Sequence, residues 1–305
     1  MNGATNTEPL VSVIVPTYNR AYCLGRTIQS VLDQTYRNWE LIIVDNQSTD
    51  STETLIADYN EQKIRLLKIN NGGIIAASRN KGLQSARGKY VAFLDSDDWW
   101  TPDKLAESVK RLEMGADIVY HELYMISTLP PKPRFWKVSI ARDLKTPAFN
   151  DLIMHGHAIN TSSVVVNRDL MNKIGGFSED PTLLAIEDYD AWLRLAKHTE
   201  AFARLGKPLG YYWDGGGNVS STERTIRNLE RLAELYRDET TGESIFANSP
   251  GYAYALGKSK FDVNKLDEAE TNFKKAISKN ASRRTAIRAL VLLCACRLKT
   301  AHIQH

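Results

Sequence analysis

The chain has 305 residues, 43% hydrophobic and 25% charged, with 39 Lys and Arg against 36 Asp and Glu for a net charge of +3. These fractions are those of an ordinary globular protein, and the length suits one large α/β domain plus an appendage. No apolar run approaches the ~18 residues that span a bilayer, Met1 to Pro9 lacks the basic and apolar regions of a secretory signal, and Cys23, Cys294 and Cys296 are too scattered for a disulfide framework, so a cytoplasmic protein is expected.

In chain order, Val11-Ser-Val-Ile-Val-Pro-Thr-Tyr-Asn-Arg20 is a β-branched run that ends in turn residues. A helical pattern follows at about Leu24 to Leu32, then a strand from Trp39 into Asp45-Asn-Gln-Ser48. Next come a helix at Ser51 to Tyr59, a strand at Ile64 to Ile69 and a helix at Ile74 to Ala86. Strands alternating with helices of this length predict βαβ units and a mostly parallel central sheet flanked by helices, an α/β, Rossmann-like fold. Ligands of such sheets bind beyond the carboxyl ends of the strands, where strand order reverses. The clusters Thr17-Tyr-Asn19, Asp45-Asn-Gln-Ser48 and Asp95-Ser-Asp97 all follow strand ends, so one shared cleft is predicted.

The fourth strand, Tyr90 to Leu94, stops at Asp95, Asp97 and Asp98. Close carboxylates repel and raise each other's pKa unless a cation neutralises them. In extended geometry Asp95 and Asp97 would point to one side about 6.5 Å apart, a spacing suited to Mn²⁺ or Mg²⁺. The plainer alternative is a solvated loop that stops the strand. Gly72-Gly73 would let backbone approach a ligand, but no Gly-x-Gly-x-x-Gly fingerprint is present, which disfavours dinucleotides.

Four blocks, in this order, resemble family 2 glycosyltransferases, which have the GT-A fold. They are Val-Ser-Val-Ile-Val-Pro-Thr-Tyr-Asn19, Ile-Ile-Val-Asp-Asn-Gln-Ser-Thr-Asp50, Ala77-Ser-Arg-Asn-Lys-Gly with Gly-Lys-Tyr-Val-Ala-Phe-Leu-Asp-Ser-Asp-Asp98, and Gly175-Gly-Phe with Glu187-Asp-Tyr-Asp-Ala-Trp-Leu-Arg-Leu195. The resemblance covers residues 9 to 220 and implies inverting transfer of a sugar from a nucleotide-sugar, UDP-linked, to a glycan acceptor in bacterial surface-polysaccharide synthesis. It implies Asp97 as metal ligand, and Asp95 with Ser96 nearer the ribose and uridine. Asp45 would accept the uracil N3–H, with an Asx-turn as its structural alternative. Pro16, Thr17 and Asn19 would wall the nucleotide, and Arg79 would reach the diphosphate or sugar. Asp188 would be the catalytic base, with Glu187 orienting acceptor or base; on pattern alone both acids would merely complement a helix dipole, and Asp190 with Arg194 would be a surface pair.

One departure matters. Where many relatives carry Tyr-Arg-x-His, this chain reads Tyr211-Tyr-Trp-Asp-Gly-Gly-Gly-Asn-Val-Ser220, which puts Asp214 near the position of a metal-touching His. The run Gly215 to Gly217 suggests either a mobile flap or a flexible turn. His155-Gly-His157 lacks companions for a metal site and reads as loop or acceptor wall. Trp99, Trp100, Trp136 and Trp213 suit either sugar stacking or core packing.

The expected organisation is a catalytic domain at 1–220, with a nucleotide half at about 9–100 and an acceptor half at about 101–220, and a helical extension at 221–305. Within the extension, Gly251 to Lys258 and Leu266 to Ile277 resemble one tetratricopeptide-like helix pair, which cannot bury its own face alone. After Glu270 there is no Asp or Glu, while Lys274, Lys275, Lys279, Arg283, Arg284, Arg288, Arg297 and Lys299 accumulate. This basic helix, with its apolar segment Ala289 to Ala295, either lies on an anionic membrane surface at the inner face or packs on the enzyme or a second copy. Nucleic acid lacks a matching motif. Cys294-Ala-Cys296 reads as core thiols. A sugar-nucleotide-forming nucleotidyltransferase and a non-catalytic adaptor recruited through the helical tail are the competing function classes.

Overall fold

The computed structural model describes residues 8–129, 137–139, 141–215 and 221–303, and side chains through residue 300. The elements begin β1 (Val11–Thr17), α1 (Ala21–Leu32), β2 (Trp39–Asp45), α2 (Thr52–Asp58), β3 (Ile64–Lys68), α3 (Ile75–Ser85), β4 (Tyr90–Phe93), β5 (Trp99–Trp100) and α4 (Lys104–Glu113). They continue β6 (Ile118–Tyr120), β7 (Tyr124–Ile126), β8 (Lys137–Val138), α5 (Ala148–His155), β9 (Val165–Asn167), α6 (Arg168–Lys173) and α7 (Glu187–Ala196). The last are β10 (Phe202–Arg204), β11 (Gly210–Trp213), α8 (Thr222–Leu235), α9 (Pro250–Asp262), α10 (Leu266–Ala276) and α11 (Arg283–Ile303).

The chain divides into two compact units. The first comprises residues 1–143, 159–179 and 201–217; the second comprises 144–158, 180–200 and 218–305. In the first, the described strands form a sheet in the order β10-β6-β9-β4-β1-β2-β3, parallel from β4 through β3 and interrupted by antiparallel β9. Strands β1 and β2 are buried along their whole length, as expected of a sheet covered on both faces. Helix α3 lies so close to β1 that a Cβ at Gly82 would meet Ile14 Cγ2 at 2.4 Å. Chain order runs from β1 outward through β2 and β3, then returns to β4 on the other side of β1. That reversal places a crevice beyond the ends of β1 and β4. Pro16 is tolerated in this central strand because β4 pairs with β1 only through Ile14, so no ladder bond is lost. A small second sheet, β5-β11-β7-β8, extends this unit.

The second unit is helical. Helix α9 starts on Ser249, whose Oγ accepts the Tyr252 N–H at 3.0 Å, with Pro250 in its first turn. It packs with α10 as the helix pair expected from the sequence, and α11 closes over both through Ala289, Leu293 and Cys296 against Phe273. Cys294 corrects the expectation of two core thiols: it is exposed, because it lies two residues from Cys296 and so on another side of α11. Asp190 also departs from the surface pair expected with Arg194. Its carboxylate is buried, bonded to Arg194 Nε at 2.8 Å and to the Tyr236 hydroxyl at 2.8 Å, because α8 runs on into a segment that covers it.

Candidate active site

In the first unit the three polar clusters sit at the ends of β1, β2 and β4. Thr17 is buried at the end of β1, and Asn19 adopts φ +51°, a left-handed conformation that Asn tolerates. The Asn19 N–H donates to Ser48 Oγ at 2.8 Å, and its Oδ1 accepts the Thr49 N–H at 2.8 Å. Asp45, 2% exposed, accepts the Ser48 N–H at 3.1 and 3.2 Å and the Ser48 hydroxyl. The Asx-turn therefore exists, and it ties the β2 end to the β1 end.

The acids of the third cluster, after β4, are not extended. The Asp98 N–H donates to the Asp95 carbonyl at 3.1 Å, so residues 95–98 form a tight turn. The expected same-side geometry of Asp95 and Asp97 gives way because the chain must reverse into β5, which pairs with β11. Helix α1 holds the turn: the Thr27 hydroxyl lies 2.8 Å from the Ser96 carbonyl and 2.7 Å from that of Asp98, and Arg26 donates to the Asp97 carbonyl at 2.9 Å. Arg79, on α3, donates to Asp95 Oδ1 at 2.8 Å and stands over the Phe177 ring.

Burial and the neighbouring Asp95 push the Asp97 pKa up, against the pull of Arg20 and Arg26. Asp98 is pushed up much further, by burial and by both other acids, with the Ser162 hydroxyl and the Trp213 N–H opposing. Its Oδ1 accepts that N–H at 2.8 Å, whereas Oδ2 is buried without a hydrogen-bond donor among the described residues. Asp214 is exposed just past β11, its N–H bonded to the Ile126 carbonyl at 2.8 Å. The Tyr212 phenol is driven up first by burial and then by Asp98, Asp95, Asp97 and Asp214, so all four acids act on one half-buried ring. Among the described residues no three His, Cys, Asp or Glu side chains form a ready-made metal cage, which leaves Asp95, Asp97 and Asp214 short of one. Burial, mutual repulsion and the orphan oxygen of Asp98 nevertheless make a donor set that a hard cation would relieve.

Trp99 is already sandwiched. Its ring stacks on Tyr211 at 4.9 Å, and Arg26 lies 3.7 Å from its centroid. Trp100 is buried with Lys104 Nζ 3.8 Å from its centroid. Arg26 also approaches Trp213, whose ring leaves no space for a Cβ at Gly215. Trp136 and Gly216-Gly217 lie outside the described residues. Arg26 lies in no motif and reaches the turn from α1, whereas Tyr212 sits in the segment that replaces Tyr-Arg-x-His and is carried to the acids by the return of β11. Gly72 and Gly73 have positive φ and open space around them.

In the second unit, Glu187 and Asp188 open α7, where acids complement the dipole. Glu187 is buried. Asp188 Oδ1 accepts the Tyr189 N–H at 2.7 Å, and its Oδ2 lies 3.5 Å from His157 Nε2. The two histidines of His155-Gly-His157 separate, because Gly156 takes φ +81°: His155 pairs with Asp151 at 3.0 Å and His157 turns to Asp188.

The sequence model of the family described as Glycosyl transferase family 2 matches residues 12–163. TuaG of Bacillus subtilis (strain 168), a glycosyltransferase assigned to teichuronic acid biosynthesis, is 45% identical over 238 residues, 75% of this chain and 91% of that protein. WfaP of Escherichia coli, a UDP-Glc:alpha-D-GlcNAc-diphosphoundecaprenol beta-1,3-glucosyltransferase, is 40% identical over 236 residues, 77% of this chain and 86% of its own. Among solved structures, S. aureus TarS 1–349 in complex with UDP aligns with TM-score 0.56 at 20% identity, over 95% of this chain and 87% of that one. The mannosyltransferase PcManGT from Pyrobaculum calidifontis, in complex with GDP-Man and Mn²⁺, aligns with TM-score 0.57 at 21% identity, over 97% of this chain and 84% of that one. At such identities the two structures speak for the fold, and the two curated relatives speak for the family. With their reach across most of both partners, the chain belongs to glycosyl transferase family 2, as an enzyme of GT-A fold.

Proposed function

We propose that the chain transfers a sugar from a UDP-sugar, with inversion and with the help of Mn²⁺ or Mg²⁺, to a hydroxyl of a lipid-linked glycan in bacterial surface-polysaccharide synthesis. The carrying observation is the meeting of buried Asp45, the Thr17–Asn19 corner and the Asp95–Asp98 turn beyond the ends of adjacent strands. Asp45, braced by Ser48, accepts the uracil N3–H, with Pro16, Thr17 and Asn19 as walls. Asp95, held by Arg79, and Ser96 face the ribose side. Asp97, with Asp95 or Asp214 beside it, would hold the cation through hard carboxylate oxygens. Such an ion neutralises charge on the departing diphosphate. Asp188 takes the proton of the acceptor hydroxyl, and Glu187 orients acceptor or base; one positioned base contributes roughly 10²–10⁴ in rate. The donor and acceptor classes follow the names of WfaP and of WfgD, likewise a diphosphoundecaprenol glucosyltransferase from Escherichia coli. The enzyme would work at the cytoplasmic face of the membrane, as a monomer or joined through its last helices.

The test is release of nucleoside diphosphate from a panel of UDP- and GDP-sugars, with and without EDTA. Metal-dependent turnover of UDP-sugars is expected. Turnover of GDP-sugars alone, or indifference to EDTA, would sink the uridine or the metal assignment respectively.

A further inference from the structure

Helix α11 has two apolar faces, and among the described residues only one is covered. Ala289, Leu293 and Cys296 are buried against the α9–α10 pair. Ile287, Leu290, Val291 and Leu298 are 63%, 52%, 62% and 66% exposed, with exposed Cys294 among them. At 100° per residue these five fall within one arc, opposite the buried set and about 16 Å long. Large aliphatic side chains in a row facing water mark an interaction surface. No described helix, α11 included, is long and apolar enough to cross a membrane.

We propose that this stripe is a docking surface for an anionic lipid bilayer, on which α11 lies parallel to the membrane plane. Charge selects the occupant. Arg283, Arg284 and Arg288 are exposed around the stripe's first turns and form no ion pair among the described residues. Lys299 is exposed at its far end beside Arg297, which pairs with Glu270 of α10 at 3.1 Å, and no Asp or Glu follows Glu270. A second copy docked stripe to stripe would set these cations against their own counterparts, with no carboxylate on either helix to meet them. Anionic headgroups supply that missing charge, while the aliphatic side chains sink into the boundary between headgroups and acyl chains. The proposal deepens the reading of a lipid-linked acceptor, because it specifies how the enzyme would reach one.

The full chain is sedimented with phosphatidylcholine vesicles that contain or lack phosphatidylglycerol, at low and high salt, without donor or acceptor. Binding to phosphatidylglycerol vesicles alone is expected, at least tenfold weaker at high salt. Leu290→Glu with Val291→Glu, and separately Arg284→Glu with Arg288→Glu, should each weaken it at least tenfold with an unchanged melting temperature and unchanged UDP-sugar hydrolysis. Lys110→Glu with Arg111→Glu, the same charge change on α4, should not. Indifference of the wild type to anionic vesicles overturns the proposal. So does equal loss in the α4 variant, and so does a dimer that Leu290→Glu with Val291→Glu converts to monomer while vesicles are ignored. Failure of UDP-sugar hydrolysis in a wild type that still binds vesicles would count against the proposed reaction and leave the docking surface standing.

Discussion

His157 Nε2 lies 3.5 Å from Asp188 Oδ2, and the other oxygen of that carboxylate is occupied by the Tyr189 N–H. The carboxylate is thus aimed by a ring from α5's end and a backbone group of its own helix. If Asp188 is the base, Asp188→Asn should lower kcat by roughly 10² or more with UDP affinity near wild type. His157→Ala should lower kcat less, since it removes only the aim. A matching fall in UDP affinity, read by calorimetric titration, would move Asp188 out of the base role.

Asp97→Ala should abolish Mn²⁺-dependent hydrolysis of the donor while thermal unfolding stays cooperative. Burial and Asp95 push the Asp97 pKa up, and Asp97 in turn helps push up that of Asp98, so the substitution relieves repulsion and should not weaken the fold. Normal turnover in this variant would transfer the metal role elsewhere.

Glu40 anchors the opposite end of the sheet. Its carboxylate accepts from the Ser12 hydroxyl at 2.7 Å, from the Arg87 N–H and guanidinium at 2.8 to 3.0 Å, and from Arg65 at 3.1 Å. Burial opposes ionisation, but Arg87, Ser12 and Arg65 outweigh it and hold the pKa below the ordinary glutamate range. Glu40→Ala should cost about 2–3 kcal/mol, the low end of buried pairs because Arg87 is itself largely in water. A depressed folded pKa gives stability that is fully present above the unfolded value of about 4.3. It is lost as pH falls through the lower folded value. Urea midpoints against pH should therefore show a shallower acid limb in Glu40→Gln.

Lys104 is fully buried, its Nζ 3.4 Å from the Val164 carbonyl. Desolvation lowers its pKa well below the usual lysine value, and the neighbouring His121 is held down at about 3 first by its own burial and then by the charge of Lys104. Between the lowered folded pKa and the unfolded value of about 10.4, the unfolded chain carries one more proton, so stability rises with pH. Lys104→Met should fold with a stability change under about 1.5 kcal/mol, and should flatten that rise. An unchanged slope would mean that Lys104 keeps its proton in the folded protein.

The sequence by itself determined the alternation of strands and helices, the parallel sheet, and the placing of Thr17–Asn19, Asp45 and Asp95–Asp98 at strand ends. Periodicity and turn residues are local signals, and each strand end falls within a few residues of its cluster. It also carried the α9–α10 pair, whose small and apolar positions repeat along the chain. Tertiary structure alone decided what closes on those ends. Trp213 meets Asp98 across 115 residues and bends the acids into a turn rather than an extended pair. Asp188 turns to His157 because Gly156 redirects the chain after α5. The segments 144–158 and 180–200 group with the last helices, although the linear order puts them amid the sheet. Helix α11 divides its apolar residues between a buried and an open face. A hydrophobic pattern reports that a side chain favours burial, but which partner supplies it depends on contacts between segments far apart in the chain.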